Sequence, residues 1–510
     1  MENTREKFVP FIIFLLLLLI YIGFPTKNYY WDGIEFAQII ENAGSLNTSL
    51  LHPSHLFYNV IGYIIYKCVL GLGIDARAVT VLQITNSVFS ALSAFVLFHI
   101  LKISFRSTYL AASLTLLFSF SALWWKFSTD ADAYIPSVLF ILISFYLILP
   151  NQKPRPLLVA LIHTISMCFH QLGVFFFPVI VLGLFFQTSA LPARKRLWII
   201  AQYSGLAFIL TFGLYYLSFY LQTGSLNFKS LFSWLTYYST ENGFLFSLKD
   251  CLKYTLNGEV KLFFGGRFNF LYEVINPLTI VLIGILILAF VGLAVQIIRI
   301  WKEKKVETAL KTGGEYKHLL MLCAAWAGVY LIFLFFWIPQ NTFYRMFYLP
   351  SFIILIGILL SRYKLMDKNG YRTMLFVIIL AVSNFLFFIY PHTKVRKETP
   401  LSLAVQMNNI WSPKTVVYFF QMGSDNRLIQ YFNRATTWIK LEADVKPEEF
   451  EAQIQKIYAD GGEVWMETSA LSQFLKQEEA AQWLQKHSTD SSRYKLNDPA
   501  YNVTLIKITP

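Results

Sequence analysis

The sequence predicts an α-helical, multi-spanning membrane protein of about eleven transmembrane helices, with interfacial helices in its first outer loop and a small C-terminal α/β domain. Three observations carry this. Of 510 residues, 56% are hydrophobic, 17% aromatic and only 14% charged, far more apolar than a soluble globular chain. Apolar runs of roughly 17–25 residues, long enough to cross a hydrocarbon core, recur through the first four-fifths of the chain. Near Tyr390 they stop and the composition becomes ordinary. This divides the chain into a membrane domain, 1–391, and a domain at 392–510.

The formal net charge is +13. Its Lys and Arg fall in short clusters between apolar runs, where membrane sidedness accounts for them and nucleic-acid binding does not. Cys68, Cys168, Cys251 and Cys323 are scattered without metal-ligand spacing, so no disulfide framework is implied. The first apolar run, 8–25, is long for a signal peptide and no small-residue cleavage site follows it. It reads as an anchor.

Charge then sets the topology. Arg5 and Lys7 precede the first span, which places the N-terminus in the cytoplasm and Asp32 outside. Residues 56–72 are apolar but short, and contain Lys67. If they spanned, the basic loop 102–106 would fall outside and the acidic loop with Asp130 and Asp132 inside. As a helix lying on the outer surface they let every later loop obey the positive-inside rule. The expected spans are then 8–25, 79–101, 108–125, 134–150, 157–170, 172–187, 197–220, 273–299, 318–337, 345–361 and 373–391. The odd count puts the C-terminal domain outside.

Three outer segments are substantial: 26–78, 221–272 and the tail. The second is rich in aromatics, and loops of that length are usually functional. In the tail, 415–420, 436–441, 463–466 and 502–508 read as strands, and 447–459 and 470–486 as helices. No catalytic pattern stands out there.

Four outer stretches carry candidate chemistry. In Trp31-Asp32-Gly33-Ile34-Glu35-Phe36 the two carboxylates lie three apart, on one helical face. That spacing is also a helix-start signature, which suits Glu35 as a cap. Asp32, beside a glycine and aromatics at the bilayer boundary, is the stronger functional candidate. His52 and His55 follow. With nearby acids they could bind a divalent metal, for which Asp32, Asp130, Asp132 and His55 are the candidate ligands, or hydrogen-bond sugars and headgroups. The stretch Trp124-Trp125-Lys126-Phe127-Ser128-Thr129-Asp130-Ala131-Asp132 holds an Asp-x-Asp pattern whose plainer reading is an exposed, solvated turn that also caps the fourth expected helix through Thr129 or Asp130. Lastly, Tyr344-Arg345 lies in an outer turn or at the start of the next span. An arginine at that depth is costly unless it is paired or snorkels, and its planar fork suits phosphate.

Together these stretches resemble the GT-C glycosyltransferases, multi-spanning enzymes with polyprenyl-phosphate-linked sugar donors, among them protein O-mannosyltransferases, aminoarabinose transferases and oligosaccharyltransferases. The resemblance rests on Trp31 to Phe36 followed by His52-Pro53 and a surface helix, the acidic second outer loop, and a basic residue near the late spans. It implies Asp32 as general base toward an acceptor hydroxyl, with Glu35 orienting the site. Asp130 or Asp132 would organise it or hold a metal, and Arg345 would contact the donor phosphate. Lys126, Tyr344, His52 and His55 are further substrate-binding candidates. It also implies an extracytoplasmic site, in a bacterial inner membrane or an endoplasmic-reticulum-like one, and an acceptor that is protein, lipid or glycan. A single base implies inversion at the anomeric carbon. The rival reading is a polyprenyl-lipid transporter or flippase. Such proteins place ionisable groups near the bilayer midplane, whereas these spans carry almost none away from their ends.

Overall fold

Each apolar run expected to span is helical over most of its length in the computed structural model. The structure describes residues 4–241, 243–266, 275–302, 316–362, 371–397, 399–441, 447–467, 483, 486–487, 493–495 and 504–509. Five helices are long and apolar enough to cross a membrane: Glu6–Gly23, Ala78–Phe105, Ala193–Thr223, Lys317–Phe336 and Thr373–His392. A sixth span arises if Thr108–Ser119 and Ala122–Ser128, bent by 71°, are counted together. The other five expected spans are apolar helices of 10–17 residues: Tyr134–Leu147, Pro156–Phe169, Gln171–Gln187, Pro277–Gly292 and Leu349–Ser361. Length and composition therefore single out five or six spans among the described residues. A 14-residue helix is only about 21 Å long, against a core of about 30 Å. The chain is an integral membrane protein.

Two compact units result. The first is Met1–Thr26 with Ile39–Thr393, and the second is Lys27–Gln38 with Lys394–Pro510. The sequence boundary at 391/392 lies close to this division, but the short stretch around Asp32 belongs with the second unit.

In the first unit, Val9–Gly23 buries Pro10, Ile13, Leu17 and Tyr21, one per turn, and leaves Leu15 and Leu19 exposed on the other side. Lipid tails are as apolar as leucine, so close approach and internal hydrogen bonds must hold such helices together. Both are present. Ala78–Phe105 buries Ser87, Ser90, Ala91, Ser93 and Ala94, and the Tyr21 hydroxyl donates to the Ser119 carbonyl at 3.0 Å. The predicted surface helix forms as Tyr58–Gly71. A Cβ on Gly62 would lie 2.7 Å from Leu82 Cδ2, so this glycine sets how closely that helix packs.

Where Thr108–Ser119 breaks, its carbonyls need partners. Asn384, fully buried, supplies one. Its Nδ2 donates to Phe120 O at 2.8 Å and Phe263 O at 2.7 Å, and its Oδ1 accepts from Gly265 N at 3.0 Å. The helix carrying Asn384 passes directly into a π-helical turn, Phe385–Ile389.

The second unit holds a five-stranded sheet, with strands β1 (Thr415–Phe419), β2 (Thr437–Lys440), β3 (Glu463–Glu467), β4 (Arg493–Lys495) and β5 (Thr504–Ile508). The order is β2-β1-β3-β5-β4. β1 runs parallel to β2 and β3, and β5 antiparallel to β3 and β4. Thus β5 lies inside the sheet and β4, which sequence patterning missed, is at its edge. The expected helix at 447–459 is Pro447–Ala459. Pro400–Asn408 and Ser424–Phe432 were not expected. The expected helix at 470–486 lies almost wholly outside the described residues, as do the basic loops 302–317 and 362–372 for the most part.

Candidate active site

The acidic loop is built from a polar face on a membrane helix. Gln83, Asn86, Ser87 and Ser90 recur at i, i+3, i+4 and i+7 of Ala78–Phe105, so they share one side. Asn86 Nδ2 donates to Asp130 O at 2.7 Å and Asp132 O at 2.6 Å. Gln83 Nε2 donates to Thr26 O and Thr129 O, both at 2.9 Å, and Ser87 Oγ to Ser128 O at 2.9 Å. Each bond is worth about 1 kcal/mol net, but losing one partner strands a buried group at roughly 1–3 kcal/mol.

This corrects the reading of a solvated cap. Thr129, Asp130 and Asp132 are buried, and the helix Tyr134–Leu147 starts from Ala133 without a side-chain cap. Asp130 pairs with Lys126 one turn back and accepts the Ala131 N–H at 2.9 Å, while Asp132 accepts the Ala133 N–H at 2.6 Å. Tyr58 lies near both acids: burial, then the charges of Asp132 and Asp130, push its phenol well above the usual range.

Tyr134 joins this loop to the histidines. Its ring centroid lies 6.2 Å from His55, 5.0 Å from His170 and 5.6 Å from Tyr344. The rings of His52 and His55 stack at 5.1 Å, and His55 meets His170 at 4.7 Å. Burial lowers the His52 imidazole to about 4. Burial, then His170 and His52, hold His55 well below its usual value. Both are therefore uncharged at neutral pH. Next to His170, Gln171 reaches back to Pro53 O at 2.9 Å and lines an apolar cavity of about 480 Å³ with Val174, Ala207, Phe208, Phe212 and Phe232.

Arg345 sits in the short helix Phe343–Phe347 with its side chain 1% exposed. Nη1 donates to Glu259 Oε1 and Tyr348 Oη, both at 2.9 Å, and Nη2 to Pro339 O at 2.9 Å. Tyr348 also donates to Glu259. Gly258 permits this, since a Cβ there would lie 2.2 Å from Arg345 Nε. Burial raises the Glu259 carboxyl against the opposing pull of Tyr348 and Arg345. Arg345 is thus paired, not snorkelling. To meet a phosphate it would have to exchange Glu259 for it.

No known family's sequence model matches this chain, and no curated protein matches it in sequence. Solved structures do match in fold. ArnT from Cupriavidus metallidurans bound to undecaprenyl phosphate superposes with a TM-score of 0.58 at 11% identity, over 99% of this chain and 98% of that one. The apo form of that protein gives 0.51 at 10% identity over the same shares. The chain has the fold of this ArnT. An oligosaccharyltransferase from Archaeoglobus fulgidus, in complex with zinc and sulfate, reaches only 0.40 at 9% identity, over 96% of this chain and 72% of that one, and carries no weight here.

Within this fold, Lys126, Asp130, Asp132, His52, His55 and Tyr344 all belong to the first unit, and Tyr134 ties the acidic loop to the histidines and Tyr344. Asp32 and Glu35 belong to the second. Their helix, Trp31–Asn42, begins one residue before Asp32, so neither residue is its N-cap. Asp32, half-buried in the first turn, suits the positive end of the helix dipole. Glu35 forms an ion pair with Arg427, which replaces the reading of Glu35 as a cap. Among the described residues no three His, Cys, Asp or Glu side chains gather as a metal site.

Sequence reading missed Asn86, Tyr134, His170 and Glu259. A signal existed for the first, because polar residues spaced three and four apart inside a long apolar span need buried partners. His170 also showed itself as the polar break between two short spans. Nothing local marked Glu259, whose helix Leu248–Phe263 is an ordinary amphipathic one.

Proposed function

We propose that this chain is a membrane glycosyltransferase that takes a sugar from a polyprenyl-phosphate-linked donor and gives it to an acceptor hydroxyl outside the cytoplasm. The observation that carries the reading is the 480 Å³ apolar cavity adjoining the His170 corner of the buried acid and histidine cluster. An apolar tail fits the first and a polar head the second. The undecaprenyl phosphate held by the ArnT of similar fold agrees with this.

Roles follow from exposure and bonding. Asp32 is the general base, because it is half-exposed in a helix turn beside Trp31 where an acceptor can reach it. Asp130 and Asp132 are tied to backbone N–H groups and Lys126, so they shape the donor side. Neutral His52 and His55, with Tyr344, hydrogen-bond or stack on the sugar. The Arg345–Glu259 pair meets the donor phosphate by exchange. Removing the acceptor proton while neutral or cationic donors stabilise the leaving phosphate is the chemistry required, with inversion at the anomeric carbon.

Three measurements test this. Asp32→Asn should abolish transfer and leave polyprenyl-phosphate binding intact; near-normal turnover would remove Asp32 from the mechanism. Ala207→Trp, which fills the apolar cavity, should strip co-purifying polyprenyl phosphate seen by mass spectrometry. Unchanged lipid content would remove the cavity from the reading. Labelling of Lys67→Cys from outside only is expected for a surface helix, and labelling from the cytoplasm would reverse the topology.

A further inference from the structure

His170 is 4% exposed and stands at the break between the helix Pro156–Phe169 and the short 3-10 helix Gln171–Phe176. Its Nδ1 accepts the Leu172 N–H at 3.0 Å and so caps the second of these helices. A backbone N–H can only donate, so Nδ1 holds a lone pair, and the neutral ring carries its proton on Nε2. Among the described residues the bond to Leu172 is the hydrogen bond this ring makes. Otherwise the ring meets other rings: His55 at 4.7 Å, Tyr134 and Phe347 at 5.0 Å, and Tyr344 at 5.8 Å between centroids.

Capping gives no reason for an imidazole. Asn47 does the same work for the 3-10 helix Thr48–Leu50, its Oδ1 accepting from Ser49 N at 2.9 Å, and asparagine is among the best caps. Histidine adds a second nitrogen, with a proton whose place is fixed by the first. Such an N–H needs an acceptor, and position narrows which. Gln171, next in sequence, lines the apolar cavity, while Tyr134 leads to the acidic loop on the other side. A lipid with its tail in the cavity and its sugar among the acids, His55 and Tyr344 carries its phosphate between the two. Lys126 and Arg345 are already matched by Asp130 and Glu259, so an uncharged donor here adds a charge-assisted bond without breaking an ion pair. We propose that His170 Nε2–H hydrogen-bonds the phosphate of the polyprenyl-linked donor, where tail meets head. This rests on the reading of that lipid as the donor.

The test measures binding of farnesyl phosphate, farnesol and inorganic phosphate to the full-length protein in detergent. Asparagine keeps an acceptor at the place of Nδ1 and removes the distal donor. Glutamine offers an N–H at the place of Nε2 and gives up the cap. His170→Asn should weaken farnesyl phosphate about tenfold and leave farnesol unchanged, and His170→Gln should hold farnesyl phosphate within about threefold of the parent. A merely structural histidine would show the opposite order, because the cap survives in the asparagine variant. Unchanged farnesyl phosphate affinity in His170→Asn, equal weakening of farnesol, or an equal loss in His170→Gln overturns the contact. Inorganic phosphate displacing farnesyl phosphate at equal concentration assigns the N–H to a free anion and overturns the lipid. A parent that binds farnesol as tightly as farnesyl phosphate removes the lipid donor and the His170 contact together, whereas a parent that prefers the phosphate, with that preference kept in His170→Asn, removes the contact alone.

Discussion

Gly258→Ala should act at a distance through Arg345. The added Cβ would lie 2.2 Å from Arg345 Nε and 2.6 Å from Cζ and Nη2, where ordinary contact begins at 3.4 Å. The guanidinium must therefore retreat by about 1.2 Å, which hydrogen bonds of 2.9 Å to Glu259, Tyr348 and Pro339 O cannot absorb. Removing one partner from a buried pair costs about 3–5 kcal/mol. Glu259 keeps 23% of its side-chain exposure, so about 2–3 kcal/mol is the reasoned figure for this network. Thermal unfolding in detergent should show Gly258→Ala and Glu259→Ala each lowering the midpoint by a few degrees. Combined with Arg345→Met, Glu259→Ala should cost less than the sum of the two single variants. Parental midpoints for both Gly258→Ala and Glu259→Ala, or strict additivity in the double variant, would refute the network.

Asn384→Leu strands two carbonyls and one N–H in the protein interior and should destabilise by about 2–4 kcal/mol, read by the same unfolding assay. Asn86→Leu frees the Asp130 and Asp132 carbonyls. It should reduce transfer more than Ser93→Ala, whose hydroxyl bonds only its own helix at Phe89 O; equal effects would deny the loop its dependence on Asn86. The histidines predict a pH response. His52 is lowered to about 4 in the folded protein from an ordinary 6.5, so the unfolded chain takes up a proton first. Stability should be flat above about pH 6.5 and fall as pH drops toward 4. His52→Gln should flatten that slope, and an unchanged slope would place the titration elsewhere.

Much of the fold is legible without coordinates. The apolar runs, the helix Tyr58–Gly71 and four of the five strands follow from local periodicity, because their side-chain patterns repeat within a few residues. Helix lengths were less legible. Several apolar runs of spanning length hold a 14-residue helix, since hydropathy counts apolar residues without reading where the backbone bends. Among candidate site residues, the need of Arg345 for a partner was readable from its depth, but Glu259 lies 86 residues away on an amphipathic helix with no unusual composition.

By itself the sequence determined that this is a membrane protein, where its helices begin, and which acids and bases sit outside the apolar runs. Tertiary structure alone decided that the Asp-x-Asp loop is buried, that Glu35 pairs with Arg427, and that Asp32 joins the second unit. The physical reason is range. Helix and strand periodicity is settled among near neighbours, whereas burying the backbone carbonyls of the Asp130 loop is tolerable only beside a donor such as Asn86, more than forty residues distant in the chain.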